Sequence, residues 1–293
     1  MKRFELLEPN SVKEACQMVS QFGDEAKLLS GGTALVKLMK KRLIHPSYVV
    51  DLKGIEELRF IREDKEGVKI GALMTLSEVE NTPSVRERLG AMAEMVHSIG
   101  SLQIRNVGTL AGNLCLADPA SDPAPLLIAL GASLKVASLE RERILPLDGF
   151  LKDFYETALG PGEIVEEIQI PFLPKGSGAI YLKHSLRAAF DLGVVGVAVR
   201  LGLNSEGRVS PDTRVVLGGV AATPIRLKKV EALLLGKTID SSLIEKAAGV
   251  ASEGLDPIHD VRASADYRRR MAEVFVRRGI QKAWERAKGG QVS

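Results

Sequence analysis

Cysteine is scarce in this chain, and so are histidine, aromatic side chains and any surplus of charge. Only Cys16 and Cys115 occur among 293 residues, which excludes a disulfide framework and any cluster that needs about four thiolates from the chain itself. The histidines, His45, His97, His184 and His259, are scattered without metal-ligand spacing, and no metal is assigned. Aromatic residues make up 4%, and the 40 basic side chains nearly balance the 37 acidic ones. A nucleic-acid partner, which needs a basic face and stacking platforms, is therefore not expected. The basic stretches 37–42 and 268–270 read as solvated helical faces or as contacts to partner subunits. Long hydrophobic runs are missing too. The run 192–199, which includes two glycines, falls far short of the ~20 residues of a membrane span. Residues 1–10 alternate charged with apolar side chains and lack a secretory pattern, so a cytoplasmic protein is the expectation.

What remains is ordinary for a globular protein: 45% hydrophobic and 26% charged residues, at a length that suits two domains. Ser11-Val12-Lys13-Glu14 has the form of a capping box, and Val12, Ala15, Cys16 and Val19 recur at helical spacing, so a helix is predicted over 12–22. A strand at 26–29, the loop Ser30-Gly31-Gly32-Thr33, a helical stretch at 34–42 and a strand at 48–51 then make a small strand–loop–helix–strand unit. Runs at 60–62 and 68–70 flank a charged turn and read as a hairpin; Thr75-Leu76-Ser77-Glu78 is a second capping box, and 84–97 is helical. Residues 99–125, rich in Gly, Asn, Asp and Pro, fit no regular element. Asp122-Pro123 sets a capping carboxylate before a proline at the first helical position, which predicts a helix over 123–130. Apolar alternation at 134–137, 164–171, 179–184 and 194–201 predicts mostly antiparallel strands, and a strand at 214–218 precedes helical stretches at 226–235, 242–251 and 265–288. Residues 173–178 have linker composition, so the expected domains are 1–175, subdivided into about 1–55 and 56–175, and 176–293.

Two glycine loops carry the chemistry. Ser30-Gly31-Gly32-Thr33 sits between a predicted strand and a helix, where glycines let backbone N–H groups approach a ligand and a helix N-terminus favours phosphate. An ordinary tight turn has the same composition. Val107-Gly108-Thr109-Leu110-Ala111-Gly112-Asn113 lies in the long irregular segment and reads equally as a ligand loop or as a surface loop stiffened by its own side chains. Other nucleotide signatures fail. No G-x-G-x-x-G occurs, and Gly236-Lys237-Thr238 lacks the upstream glycine of a Walker loop because Glu231 fills that place.

Taken together, 29–35, the stretch from Ser98-Ile99-Gly100 through Gln103-Ile104-Arg105-Asn106-Val107-Gly108-Thr109-Leu110-Ala111-Gly112-Asn113, and Ala117-Asp118-Pro119-Ala120-Ser121-Asp122 resemble the FAD-binding domain of molybdenum hydroxylases of the xanthine dehydrogenase and carbon monoxide dehydrogenase type. Gly218-Gly219-Val220-Ala221-Ala222-Thr223-Pro224-Ile225-Arg226 and Ser264-Ala265-Asp266-Tyr267-Arg268 resemble the C-terminal domain of the same flavoprotein (medium) subunits. The resemblance implies an α+β fold: a two-subdomain, PCMH-type α/β domain for FAD, then a smaller domain with an antiparallel sheet and helices. It implies that Leu29, Ser30, Gly31, Gly32, Thr33 and Ala34, with Thr109, Leu110, Ala111, Gly112 and Asn113, wrap the FAD diphosphate and neighbouring sugar groups, largely through backbone N–H donors. Asp122 matches an acidic position that accepts from sugar hydroxyls, beside its reading as a helix cap, and Ile99 matches a position that in some members is aromatic and lies against the adenine. Val165 and Lys183, or His184 one residue on, match contacts near the isoalloxazine ring. Arg187 and Asp191 match a K-x-x-x-R-x-x-x-D pattern, whereas Leu192 departs from members with tyrosine there.

Function follows from the same likeness. The implied role is an electron-transfer subunit with FAD as cofactor and no catalytic side chain of its own, beside a molybdenum-cofactor large subunit, a two-iron two-sulfur small subunit and an external electron acceptor. The competing expectation is an adaptor that keeps the fold without the cofactor.

Overall fold

The computed structural model describes residues 1–187 and 191–289. Its first layer is a three-stranded parallel sheet of β1 (Glu5–Leu7), β2 (Ala26–Leu29) and β3 (Tyr48–Asp51), in the order β1-β3-β2. Helix α1 (Val12–Phe22) starts where the Ser11 side chain accepts from the Glu14 N–H, and buries Val12, Ala15 and Cys16. The Glu14 carboxylate reaches back to the Asn10 N–H at 2.8 Å, one residue beyond a standard capping box. Helix α2 (Leu35–Lys40) joins β2 to β3. Strand β1 lies in the charge-alternating N-terminal segment, where no strand is expected from sequence; main-chain pairing with β3 forms it.

The second layer is an antiparallel sheet ordered β4-β5-β10-β6-β7, from β4 (Ile61–Glu63), β5 (Gly67–Gly71), β6 (Ser133–Ala137), β7 (Glu142–Pro146) and β10 (Ile164–Pro171). The short pair β8 (Leu151–Asp153) and β9 (Glu156–Thr157) stands beside it. Thr75 and Glu78 make the reciprocal capping box that starts α3 (Leu76–Asn81). The helical stretch expected at 84–97 is two helices, α4 (Pro83–Arg88) and α5 (Gly90–His97), broken at Leu89 with φ −131° and ψ 44°. The region expected to be irregular contains α6 (Leu102–Arg105) and α7 (Leu110–Leu116), capped by Ser101 and Thr109. The caps and tertiary contacts outweigh the Gly112 and Asn113 of α7 and the single-turn length of α6, over which propensity is a weak prior. Helix α8 (Pro123–Leu130) follows and is buried all round.

The third layer is the antiparallel sheet β11 (Ser177–His184), β12 (Val195–Gly202), β13 (Arg214–Gly218) and β14 (Ile225–Arg226), in that order. Residues 225–226 are a strand rather than the start of a helix; α9 (Lys228–Leu234), α10 (Ser241–Gly249) and α11 (Ala265–Gly289) follow. Strand periodicity explains how this sheet serves two cores. Val195, Val197, Val199 and Leu201, with Val215 and Leu217, share a core with the C-terminal helices, whereas Ala198, Val216, Ala179 and Tyr181 belong to the core of the first two layers. The first-core face of β11 therefore looks toward the segment that precedes α8. That placement brings Tyr181 and Lys183, two residues apart on one strand face, to Asp122.

Candidate functional site

The first glycine loop leaves the carboxyl end of β2, the position at which α/β sheets receive ligands. Gly32, at φ +72°, turns the chain into α2. Gly31 is needed for a different reason: a β-carbon there would overlap the Val107 carbonyl oxygen and stand 2.8 Å from Gly108 Cα. The two glycine loops thus touch through their backbones. Ser30 Oγ and Thr109 Oγ1 are 3.1 Å apart, and Thr33 packs against Gly108. Thr109 also accepts from the Gly112 N–H at 3.0 Å as the cap of α7. The second loop is fixed from behind, where Leu76 N–H donates to the Gly108 carbonyl at 2.8 Å and Thr75 bridges Thr109.

Donors are left over at this junction. Among the described residues, no hydrogen bond takes up the N–H groups of Gly31, Gly32, Thr33, Ala34 or Ala111. Backbone donors away from water are normally satisfied, so unpaired N–H groups at a helix entry, on residues that run from exposed Thr33 to buried Ala111, fit an anionic ligand. A groove of about 430 Å³ runs alongside, lined in part by Ser30, Gly31, Thr109, Lys53, Arg59 and Thr75.

From the junction a polar track continues. Asn113 Oδ1 accepts from Ser121 Oγ at 2.6 Å. The next residue, Asp122, is 5% exposed, and its carboxylate accepts from Tyr181 Oη at 2.7 Å and Lys183 Nζ at 2.8 Å. Lys183 Nζ also donates to the Ser98 carbonyl at 3.3 Å, which brings in the neighbouring, buried Ile99. Burial pushes the Asp122 carboxyl above its ordinary range, opposed by the Lys183 charge and by the bonds from Lys183 and Tyr181. The Tyr181 hydroxyl is pushed well up by burial and by the Asp122 charge.

The residues expected from sequence divide accordingly. Leu29 to Ala34, Thr109 to Asn113, Asp122, Lys183 and Ile99 line one connected track of contacts. Asp122 is not the cap of α8. Its backbone is already helical (φ −73°, ψ −40°), no N–H of the helix reaches its side chain, and both carboxylate oxygens are taken by β11. His184 points the other way from Lys183, as strand alternation requires: its Nε2 lies 3.0 Å from Tyr267 Oη, and its ring packs against Tyr267 and Phe275 of α11. Burial, and then the Arg278 charge, lower its pKa. Val165 is a buried residue of β10 opposite Val136, beside a bulge. Sequence reasoning missed Tyr181 and Ser121. Tyr181 was within reach, because a residue two before Lys183 on a strand shares its face.

Comparison with known proteins identifies the family. The family described as "FAD binding domain in molybdopterin dehydrogenase" matches residues 2–173, and "CO dehydrogenase flavoprotein C-terminal domain" matches 180–283. The chain belongs to the FAD-binding medium subunits of the molybdenum hydroxylases. It is 35% identical to the carbon monoxide dehydrogenase medium chain of Hydrogenophaga pseudoflava, over 97% of this chain and 98% of that one. The 6-hydroxypseudooxynicotine dehydrogenase complex subunit alpha of Paenarthrobacter nicotinovorans is also 35% identical, over 97% and 96% of the two chains. Among solved structures, carbon monoxide dehydrogenase from Hydrogenophaga pseudoflava superposes with a TM-score of 0.94 at 37% identity, covering 97% of this chain and 98% of that one. Quinoline 2-oxidoreductase from Pseudomonas putida 86 superposes with a TM-score of 0.91 at 30% identity, covering 99% and 100%. The chain is thus an oxidoreductase component with a FAD-binding domain and the α+β fold of these subunits. Among the described residues, no helix is long and apolar enough to cross a membrane.

Proposed function

We propose that the two glycine loops hold the FAD diphosphate between them, that the track from Asn113 to Lys183 receives the ribityl chain and flavin, and that Ile99 offers an apolar face to a ring of the cofactor. The observation that carries this reading is the row of unpaired N–H groups on residues 31–34 and on Ala111, at the point where the loops meet. The donor set fits the group. Main-chain N–H groups suit phosphate oxygens, the Asp122 carboxylate suits hydroxyls, and the Lys183 ammonium suits the electron-rich edge of a flavin. Bound flavin supplies the ability to take up electrons one at a time and to give them up as a pair. The chain's own side chains bind and orient it: Ile99 gives an apolar wall, and Lys183, held by Asp122 and the Ser98 carbonyl, sets a fixed positive charge.

In the complex, this subunit takes electrons from a two-iron two-sulfur partner chain, which receives them from a molybdenum-cofactor large subunit, and passes them to an external acceptor. That role is supported by family membership and by relatives named as medium chains of dehydrogenase complexes. The proposed division is an FAD-binding domain of residues 1–175 and a C-terminal domain of residues 176–293, with the linker composition at 173–178 between them. The full-length chain, stripped of cofactor and titrated with FAD, should bind it with stoichiometry near one per chain and recover flavin absorption bands. A folded chain that takes up no FAD would instead be the cofactor-free adaptor.

A further inference from the structure

The stretch Gln103-Ile104-Arg105-Asn106 lies between the site's two ends, and nothing above gives it a task. We infer that Arg105 is a positioning residue that fixes the turn Ser98-Ile99-Gly100 and, through it, the place of the Lys183 ammonium in the cofactor site. The inference rests on the FAD reading above and adds to it a residue that reaches the cofactor track only through the backbone carbonyls of Ile99 and Gly100.

Arg105 is 8% exposed, and its guanidinium folds back onto residues that precede its own helix. Nη1 donates to the Ile99 carbonyl at 3.1 Å and to the Gly100 carbonyl at 3.5 Å, and Nε donates to Glu80 Oε2 at 3.1 Å. A basic residue in the last turn of a helix ordinarily serves that helix's own carbonyls; Arg105 serves the turn instead. From the other side, Lys183 Nζ donates to the Ser98 carbonyl at 3.3 Å. The carbonyls of Ser98, Ile99 and Gly100 therefore all end on the cations Arg105 and Lys183. Gly100 has φ +49°, and a β-carbon there would lie 3.2 Å from Ile104 Cγ2. The turn thus has a backbone that suits glycine and rests on α6. Glu80 anchors the guanidinium and is itself bonded to His97 Nδ1 at 2.6 Å. Only a fork of several donors can hold Glu80 and the turn at once, so lysine is no substitute.

The test uses the full-length chain with FAD as the probe, and reads both the dissociation constant and the visible spectrum of bound flavin in R105A, R105K, E80Q, K183M and the double variant R105A/K183M. R105A should weaken FAD binding about tenfold, the order expected for one charge-assisted hydrogen bond, and should shift the flavin bands. R105K should fall nearer to R105A than to the wild type. Because the effect passes through Lys183, R105A should add less than about twofold in the K183M background, the non-additivity of residues that act as a unit. Additive effects in this cycle, or wild-type affinity and spectrum in R105A, overturn the inference. If R105A does not fold, R105K and E80Q run through the same cycle with K183M and decide it. A folded wild-type chain that binds no FAD removes the FAD reading itself, an outcome distinct from binding without coupling.

Discussion

Gly31→Ala is the sharpest perturbation of the loop junction, because the added methyl has nowhere to go. It would overlap the Val107 carbonyl oxygen, with Gly108 Cα at 2.8 Å and the Val107 carbonyl carbon at 2.9 Å. All of these are backbone atoms, so no side-chain rotation relieves the contact. Overpacking of this kind costs about 1–3 kcal/mol. The strain has two places to appear. If the loops stay together, it lowers the stability of the bare chain; if they part, it lowers FAD affinity, because the ligand must draw them back. At 1.4 kcal/mol per decade, the second case corresponds to about a fivefold to hundredfold rise in the dissociation constant. Urea unfolding of the bare chain and FAD titration of the same preparation together capture the sum. Gly90→Ala is the control, since nothing lies within 4 Å of its added methyl, and alanine in a helix is favoured over glycine by about 0.5–1 kcal/mol. A G31A chain that matched wild type in both urea midpoint and FAD affinity would refute the claim that the loops touch.

Other perturbations reach different parts of the account. Thr109→Val removes the hydroxyl that caps α7 at Gly112 and meets Ser30 Oγ; stability should fall by about 1 kcal/mol, the usual cost of a lost cap, and T109S should retain it in the same unfolding assay. Asp260→Ala leaves Arg268, which is fully buried, without its carboxylate partner at 2.8 Å, and should cost about 3–5 kcal/mol at neutral pH. Burial opposes ionisation of Asp260, but Arg262, backbone N–H groups and Arg268 prevail and hold its carboxyl below the ordinary value of 3.8. A lowered folded pKa contributes stability that is present above the unfolded value and is lost as pH falls through the folded one. An acid titration of stability should therefore lose part of its slope below about pH 4 in D260A, and an unchanged slope would count against this pairing. The Cys16 thiol is pushed up to about 11 by burial and then by the Glu166 charge, and Cys115 to about 12 by burial. Since the thiolate is the reactive form, iodoacetamide at mildly alkaline pH should label neither cysteine until the chain unfolds, as mass spectrometry would read.

Much of this was legible in the chain because local chemistry and tertiary structure agree there. Ser11, Thr75 and Pro123 each mark the start of a helix that forms where they stand, and the alternation along 194–201 marks a strand buried on both faces. The glycine loops were visible as candidates, yet turn composition alone does not distinguish a phosphate cradle from an ordinary bend. What separates them is the meeting of residues 31 and 107, a contact between backbones distant in sequence. Asp122 shows the same limit. Beside a proline at a helix start, a carboxylate reads as a cap, and only the arrival of Tyr181 and Lys183, about sixty residues later in the chain, turns it into the centre of a buried polar cluster. Helix α7 was hidden by its own Gly112 and Asn113, and α6, a single turn, by the Gly100, Asn106 and Gly108 around it; both are held here by caps, and α6 by contact with α3. Arg105 was in plain view within a quoted motif, but nothing in its spacing says that it reaches backward to residues 99 and 100.

The most direct test is a crystal structure of the full-length chain loaded with FAD. The account predicts diphosphate oxygens within hydrogen-bonding distance of the N–H groups of Gly31, Gly32, Thr33, Ala34 and Ala111, which no group among the described residues takes up. FAD held elsewhere on the chain, with those donors facing only water, would contradict it.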